Sequence, residues 1–408
     1  MWLSKILLQS WSNISTDRYY KLKNQVRFIF IEPIIYKNQY YQILFFPSKK
    51  QLMSTDIQIH KPVPYDLAGK DLATFRVTSD IKSTIKGLRA GNPVLVTAFY
   101  SDGLLLLNEI KKDIKKKLPT KTFQEQRVFR AAYHKLSNLV LVKIEVHQLT
   151  LKKSPEIGWL QKLYPAMDSF LLSFPQVQGL NSAWQWYQNG ISTPVLRNKI
   201  HPYYGTYFPT RFDHLILFDN WLKRYAGPKK SAIDVGIGSG VLSYQMVKHG
   251  FQKVFGTDTN PNAIVGLKEA MGDTKMSRKI ELDFGSLFGA WENQTELIVF
   301  NPPWLPKAHD LDKNDEAIYY PKNLFPDFFA AAIKRLAPEG KLVILFSNLA
   351  QITGLTITHP IEIELAKGNR FQLEKCLKKS VKQASDKTKR DQDWRAAEEV
   401  ELWVLTKK

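Results

Sequence analysis

The chain has 408 residues, 44% of them hydrophobic, which is too long for one ordinary domain and too apolar for disorder to be expected. Its single cysteine, Cys376, excludes an internal disulfide, and its eight histidines form no Cys/His cluster at metal spacing, so a reducing compartment (the cytoplasm) and a metal-free site are expected. No apolar run approaches the roughly 18 residues needed to cross a bilayer, so no membrane partner is expected. The net charge is +20.

That charge is uneven. Residues 1–200 hold 29 Lys and Arg against 13 Asp and Glu, whereas residues 201–408 hold 29 against 25. A basic half suits a polyanionic partner, because Lys and Arg that neutralise phosphates release counterions. A solubilising surface is the alternative.

In chain order, Met1–Ser15 is amphipathic (Trp2, Ile6, Leu7, Trp11) without a cleavage site and reads as structural, with a transit peptide as the alternative. Val26–Ile31 and Tyr40–Phe46 read as a hairpin through Lys37-Asn38-Gln39, with Pro33 near an edge. Ala73–Val77 reads as a strand leading to a helix opened by Ser79 or Asp80 and closed at Gly91. Pro93–Tyr100 and Leu104–Leu107 flank Ser101-Asp102-Gly103, whose Asp-Gly predicts a second hairpin, so the first part reads as α+β.

The densest basic run follows, Lys111-Lys112-Asp113-Ile114-Lys115-Lys116-Lys117, extended by Lys121, Arg127 and Arg130. On a helix Lys112, Lys115 and Lys116 share a face that could track a phosphate backbone, or simply a solvated face. Phe123–Leu136 reads as a helix and Leu139–Val146 as a strand. Within Pro155–Pro202, the aromatic and amide residues of Asn181–Gly190 would serve for stacking on bases or, the favoured reading, for packing. Lys378–Asp393 reads as a polar loop.

From residue 231 short apolar strands alternate with helices: Ala232–Val235, a helix to Lys248, Val254–Thr257, a helix from Asn260 to Met271, Ile280–Leu282, Leu297–Phe300, a helix over Leu324–Leu336, and Leu342–Phe346. This alternation predicts a parallel sheet covered on both faces, with its ligand at the carboxyl ends of the strands. After the first strand comes Asp234-x-Gly236-x-Gly238-x-Gly240, glycines placed where a ligand must approach the main chain. Asp258 follows the second strand, 18 residues past Gly240, suiting either a ribose contact or a cap. Asn301-Pro302-Pro303-Trp304 follows the fourth.

The glycine motif resembles that of class I S-adenosylmethionine (SAM)-dependent methyltransferases. Asn-Pro-Pro-Trp narrows the resemblance to enzymes that methylate a planar amino or amide nitrogen. It covers about 200 residues and implies an α/β, Rossmann-like domain over 201–408. Its sheet would be mostly parallel and seven-stranded, closed by Phe371–Leu377 and Val400–Leu405, with the last strand antiparallel. A basic α+β domain over 1–200 would serve substrate recognition.

The resemblance also implies site roles. Asp234, Gly236, Gly238, Gly240 and Asp258 would hold SAM, with Asp283 or Ser286 on the adenine side. Gly205-Thr206-Tyr207-Phe208-Pro209-Thr210 resembles the element that touches the methionine part, with Thr-Pro reversed to Pro-Thr, and it offers Thr210. Asn301 and the Pro302 carbonyl would accept hydrogen bonds from the amino group, Pro303 would stiffen the turn and Trp304 would stack on the substrate. The expected substrate is a base amine in nucleic acid, RNA before DNA. The alternatives are a protein glutamine amide, a small molecule, a nicotinamide dehydrogenase disfavoured by Val241 and the tetrad, and a non-catalytic nucleic-acid-binding protein that keeps the fold.

Overall fold

The structure is a computed structural model that describes residues 30–36, 39–45, 57–69, 72–307, 318–381 and 397–408. The expectations for Met1–Ser15 and for most of Lys378–Asp393 lie outside these residues. Met1–Gln58 and Ile59–Lys408 form two compact units. In the first, β1 (Phe30–Tyr36) and β2 (Gln39–Phe45) pair antiparallel with Tyr36 opposite Gln39, so two strands pair as expected, but the first lies later than Val26–Ile31 and Gln39 belongs to the second.

The second unit contains two larger sheets, and the expected boundary near residue 200 falls inside it, between them. The first sheet begins with β3 (Ala73–Phe75) and α1 (Ile81–Arg89), whose N-cap Asp80 accepts hydrogen bonds from the N–H groups of Lys82 and Ser83. Then β4 (Val94–Val96) is followed not by a hairpin but by α2 (Tyr100–Lys115). Asp102 sits in the first turn of that helix and accepts from the Phe99 N–H. Gly103 is there because the Phe174 ring lies 2.0 Å from where its Cβ would stand. The Asp-Gly pair is a helix start under a close-packed ring, and Leu106, Leu107, Ile110 and Ile114 carry the apolar stripe into the core at helical spacing.

Next come α3 (Phe123–Ser137), opened by a Thr122/Glu125 capping box, β5 (Val140–Glu145) and β6 (Gln148–Leu149). They are followed by α4 (Trp159–Leu163), β7 (Ser169–Ser173) and α5 (Phe174–Asn189). β3, β4 and β5 run parallel, with β6 and β7 antiparallel to β5. Most of the aromatic stretch is packing, although Trp186 is 44% exposed. Trp159 is fully buried, with Trp184, Tyr187 and Tyr203 at ring-centroid distances of 5.6, 4.7 and 4.7 Å.

The other sheet follows α6 (Asp213–Arg224). Its chain runs β8 (Ser231–Val235), α7 (Val241–Lys248), β9 (Lys253–Asp258), α8 (Pro261–Met271), α9 (Lys275–Lys279), β10 (Ile280–Phe284) and β11 (Thr295–Phe300). The short pair β12 (Leu305–Pro306) and β13 (Tyr319–Tyr320) comes next, then α10 (Leu324–Arg335), β14 (Leu336–Ser347), α11 (Leu349–Ile352), α12 (Pro360–Ala366), β15 (Phe371–Ser380) and β16 (Glu399–Lys407).

The seven strands lie in the order β10-β9-β8-β11-β14-β16-β15. β16, the last strand in sequence, is antiparallel to both neighbours, and the pairs from β10 to β14 are parallel. The fold is α/β and Rossmann-like. Leu297, Ile298 and Val299 are fully buried, as a central parallel strand covered on both faces requires.

Candidate active site

Strand register builds the site. Val235 pairs with both Thr257 and Phe300, so Gly236, Asp258 and Asn301 each begin one step beyond a common row at the carboxyl ends of β8, β9 and β11. On the outer strand Asp283 pairs with Thr257 in that row. Residues separated by as much as 65 positions in sequence therefore emerge side by side on one edge of the sheet.

The first turn is made by glycine. Gly236, Gly238 and Gly240 have φ of 69°, 50° and 80°, in the left-handed region that residues with a Cβ avoid. At Gly238 a Cβ would stand 3.4 Å from the Tyr207 carbonyl oxygen. The Gly238 N–H donates to Asp258 Oδ2 at 2.8 Å, and the Asn260 N–H donates to Asp258 Oδ1 at 2.8 Å. Asp258 is thus not the helix cap, which is Asn260, but a tie that holds the glycine turn to the cap residue. Burial raises its pKa, while the N–H groups of Asn260, Gly238 and Thr259 pull the other way.

Asp234 is fully buried on β8. Its Oδ2 accepts from the Ser243 hydroxyl at 2.6 Å, and its Oδ1 has no hydrogen-bond partner. Burial pushes its carboxyl up to about 7; Ser243 opposes the rise and Asp258 adds to it. A buried acceptor without a donor, behind a turn that presents bare backbone, suits a ligand that carries its own donors.

A second layer covers this turn. Asn260 Nδ2 donates to the Gly205 carbonyl at 2.8 Å. Asn262, fully buried at the start of α8, accepts from the His60 N–H and donates to the carbonyls of His60 and Tyr204, each at 2.7 Å. Together they fasten the Tyr203–Tyr207 segment against the glycine turn. Of the Gly205–Thr210 element, it is Gly205 and Tyr207 that meet the site. Thr210 lines a cleft of about 240 Å³ with Trp186, Ile191, Phe208 and Phe212. Sequence reading took Asn260 as a cap alone, had Tyr207 only within the Gly205–Thr210 element, and passed over Asn262 and Ser243. An asparagine two places after another at a helix start was the available signal.

On the outer strand Asp283 Oδ2 accepts from the Ala290 N–H at 2.8 Å and so shapes the loop that carries Ser286, which is exposed. At the end of β11, Trp304 Nε1 donates to Asn301 Oδ1 at 3.2 Å. The imidazole of His214 meets Trp304 edge-on, with centroids 5.6 Å apart and planes at 89°. Burial lowers the His214 pKa to about 4 against the pull of Asp213, so this ring is neutral at pH 7. Asn301, half-buried, keeps an acceptor lone pair beyond the one given to Trp304. Pro302 and Pro303 fix two backbone φ angles and leave two carbonyls in set directions.

Residues 216–356 match the family model of the methyltransferase small domain. A putative protein N5-glutamine methyltransferase of Methanocaldococcus jannaschii is 30% identical over 117 residues, which is 28% of this chain and 54% of that protein. Ribosomal RNA small subunit methyltransferase C of Alcanivorax borkumensis is 29% identical over 145 residues, 35% of this chain and 41% of that one. The chain spans about half or less of the length of these relatives. Among solved structures, the ribosomal protein L11 methylase of Lactobacillus delbrueckii subsp. bulgaricus superposes with a TM-score of 0.35 at 18% identity. It covers 53% of this chain and 90% of that one.

Proposed function

We propose that this protein is a SAM-dependent methyltransferase that transfers a methyl group to an exocyclic amino nitrogen of a base in RNA, a reading supported by the match of residues 216–356 to the methyltransferase small domain. The observation that carries the reading is the emergence of Asn301-Pro302-Pro303-Trp304 one step beyond the same strand row as Gly236 and Asp258. When bound, SAM supplies the methyl group on a positively charged sulfur. Gly236, Gly238 and Gly240 would admit it to the backbone, the free Asp234 Oδ1 would accept from its donors, and Asp258 would accept from its ribose hydroxyls. Asp283 or Ser286 would border the adenine, and Thr210 the entrance.

An amino nitrogen conjugated to a ring is a poor nucleophile, since its lone pair is delocalised. Asn301 Oδ1 and the Pro302 carbonyl accept from its two N–H groups and favour a more pyramidal nitrogen, and the prolines hold both acceptors before the substrate arrives. Trp304, backed by the neutral His214, stacks on the flat base and aims it. The nitrogen becomes acidic once alkylated and loses its proton without a dedicated base. Residues 1–200 would bind the nucleic acid, RNA before DNA, in the cytoplasm. Among the described residues no helix is long and apolar enough to cross a membrane.

A protein glutamine amide presents the same planar nitrogen, and the archaeal relative's name favours that second reading. The test is transfer of labelled methyl from SAM to total RNA, DNA and protein, followed by hydrolysis. The expected outcome is label in an N-methylated RNA base. Label in protein glutamine would install the second reading, and label in none of the three would overturn both.

A further inference from the structure

The basic run and the tetrad, about 185 residues apart in sequence, meet in the fold. Phe123, at the start of α3, packs against the buried cluster that Leu305, Tyr319, Leu349 and Ala350 form, and Leu305 is the residue directly after Trp304. One turn further along α3, the Arg127 guanidinium lies 5.5 Å from the centre of the Tyr319 ring. β12 and β13, which carry Leu305 and Tyr319, pair with each other. The helix that follows the lysine run is therefore docked on the segment that leaves the tetrad.

Around this joint, Lys111, Lys115, Lys116, Lys117 and Lys121 are all exposed. Among the described residues the ammonium groups of these five form no ion pair, whereas Lys112 pairs with Glu109; Lys121 is tied to Glu125 through its N–H, at 2.8 Å. Lysines at a helix C-terminus complement its dipole, but that effect fades within the last turn and does not account for Lys116, Lys117 and Lys121 beyond it. Lys111, Lys115, Lys116 and Lys117, without an ion pair among the described residues, repel one another, a cost that an anion of high charge density removes.

We propose that the corner formed by the end of α2 and the start of α3 is the phosphate anchor for the RNA strand whose base enters the tetrad, with the packing of Phe123 on the Leu305 cluster and the Arg127–Tyr319 contact fixing anchor to site. This rests on the nucleic-acid reading above. Its physical content is that the backbone of the substrate is gripped beside the catalytic turn while base contacts stay with Trp304 and Asn301. Charge on the corner then governs capture of the strand and leaves the chemical step alone.

The full-length protein with Lys115→Glu, Lys116→Glu and Lys117→Glu is compared with wild type and with a control, Lys82→Glu/Lys86→Glu, exposed lysines on α1. The probe is a fluorescent single-stranded RNA of random sequence, titrated from 50 to 300 mM salt, with methyl transfer to total RNA measured alongside. The expected result has three parts: affinity of the triple variant at least about tenfold weaker, a salt slope smaller by about 0.7 for each phosphate that the corner no longer neutralises, and KM raised with kcat, SAM affinity and melting temperature unchanged. Equal weakening in the control would mean diffuse attraction and overturn the anchor while leaving the methyltransferase reading intact. Equal weakening of binding to poly-glutamate would overturn RNA as the partner of this corner. A wild-type protein that binds no RNA would overturn the nucleic-acid reading and the anchor with it.

Discussion

The glycine turn after β8 and the proline turn after β11 start from paired residues, Val235 and Phe300, and are held in opposite ways. The glycine turn has no stiffness of its own and is made rigid from outside, by Asp258 on the Gly238 N–H and by the Tyr203–Tyr207 segment laid over it. The proline turn is stiff in its own covalent structure, and its one described side-chain hydrogen bond, from Trp304 to Asn301, stays inside it. A site for a ligand that touches backbone needs conformations only glycine supplies and ties to keep them. A site that must present two acceptors to an amine needs fixed carbonyl directions and little else.

The comparison breaks most sharply at Gly238. Gly238→Leu puts a side chain at φ 50° beside the Tyr207 carbonyl, so SAM affinity should fall by about 100-fold or more, combining a left-handed strain of about 1–2 kcal/mol with the contact. RNA binding should persist, since the proline turn stands without it. Calorimetric titration with SAM and RNA in parallel checks this, and retained SAM affinity would remove the cofactor from the glycine turn.

Asn301→Ala tests the other turn. Its kcat should drop by about 10²–10³, the scale for one preorganised polar contact to a reacting group, with SAM affinity unchanged. Asp258→Ala should weaken SAM binding by about 1.5–3 kcal/mol. It should also lower the melting temperature, because two backbone N–H groups lose their acceptor. An effect on only one of these readouts would separate the tie from the ligand contact. Trp304→Ala should raise KM by the equivalent of about 1–3 kcal/mol of stacking while kcat changes little. A common drop in stability of the Asn301 and Trp304 variants, without a split between kcat and KM, would reduce the tetrad to a loop.

The smallest effect sharpens the contrast through pH. Asp234 holds its proton up to about 7 in the folded chain and loses it near its ordinary value when unfolded, so its contribution makes stability fall as pH rises across that window. His214 has the opposite sign. It is neutral above about 4 when folded and protonated up to its ordinary value of 6.5 when unfolded, so stability rises with pH between those values. Asp234→Asn should expose the rise and His214→Phe the fall, each as a change of a few degrees in melting temperature between pH 4.5 and 6.5. Parallel curves for the two variants would contradict the burial of one group or the other.

Legibility followed the same divide. The strands around Asp234, Asp258 and Asn301 could be read because apolar runs, glycine spacing and Asn-Pro-Pro are local. That the last strand is antiparallel could be expected only from the resemblance, and its place between β14 and β15 was not expected. Asp102-Gly103 misled, because a turn signal and a helix start that makes room for the Phe174 ring use the same two residues. The Trp159 cluster was legible as packing, while its partners were not. Asn262, and the docking of Phe123 on the Leu305 cluster, depend on residues far apart in sequence, and no window of one chain displays them.

The Asn262 amide bears on how far this protein is modular. It joins His60 and Tyr204 to the start of α8, and Glu269, farther along that helix, is held by Lys162 and Tyr187 from the other sheet. Cutting the chain near residue 200 would strip His60, Lys162 and Tyr187 at one stroke and open a buried amide to solvent. The half that carries the seven-stranded sheet is therefore not a cassette to be excised, grafted or expressed alone. Its border near residue 200 is one of topology, and the cohesive unit runs across it.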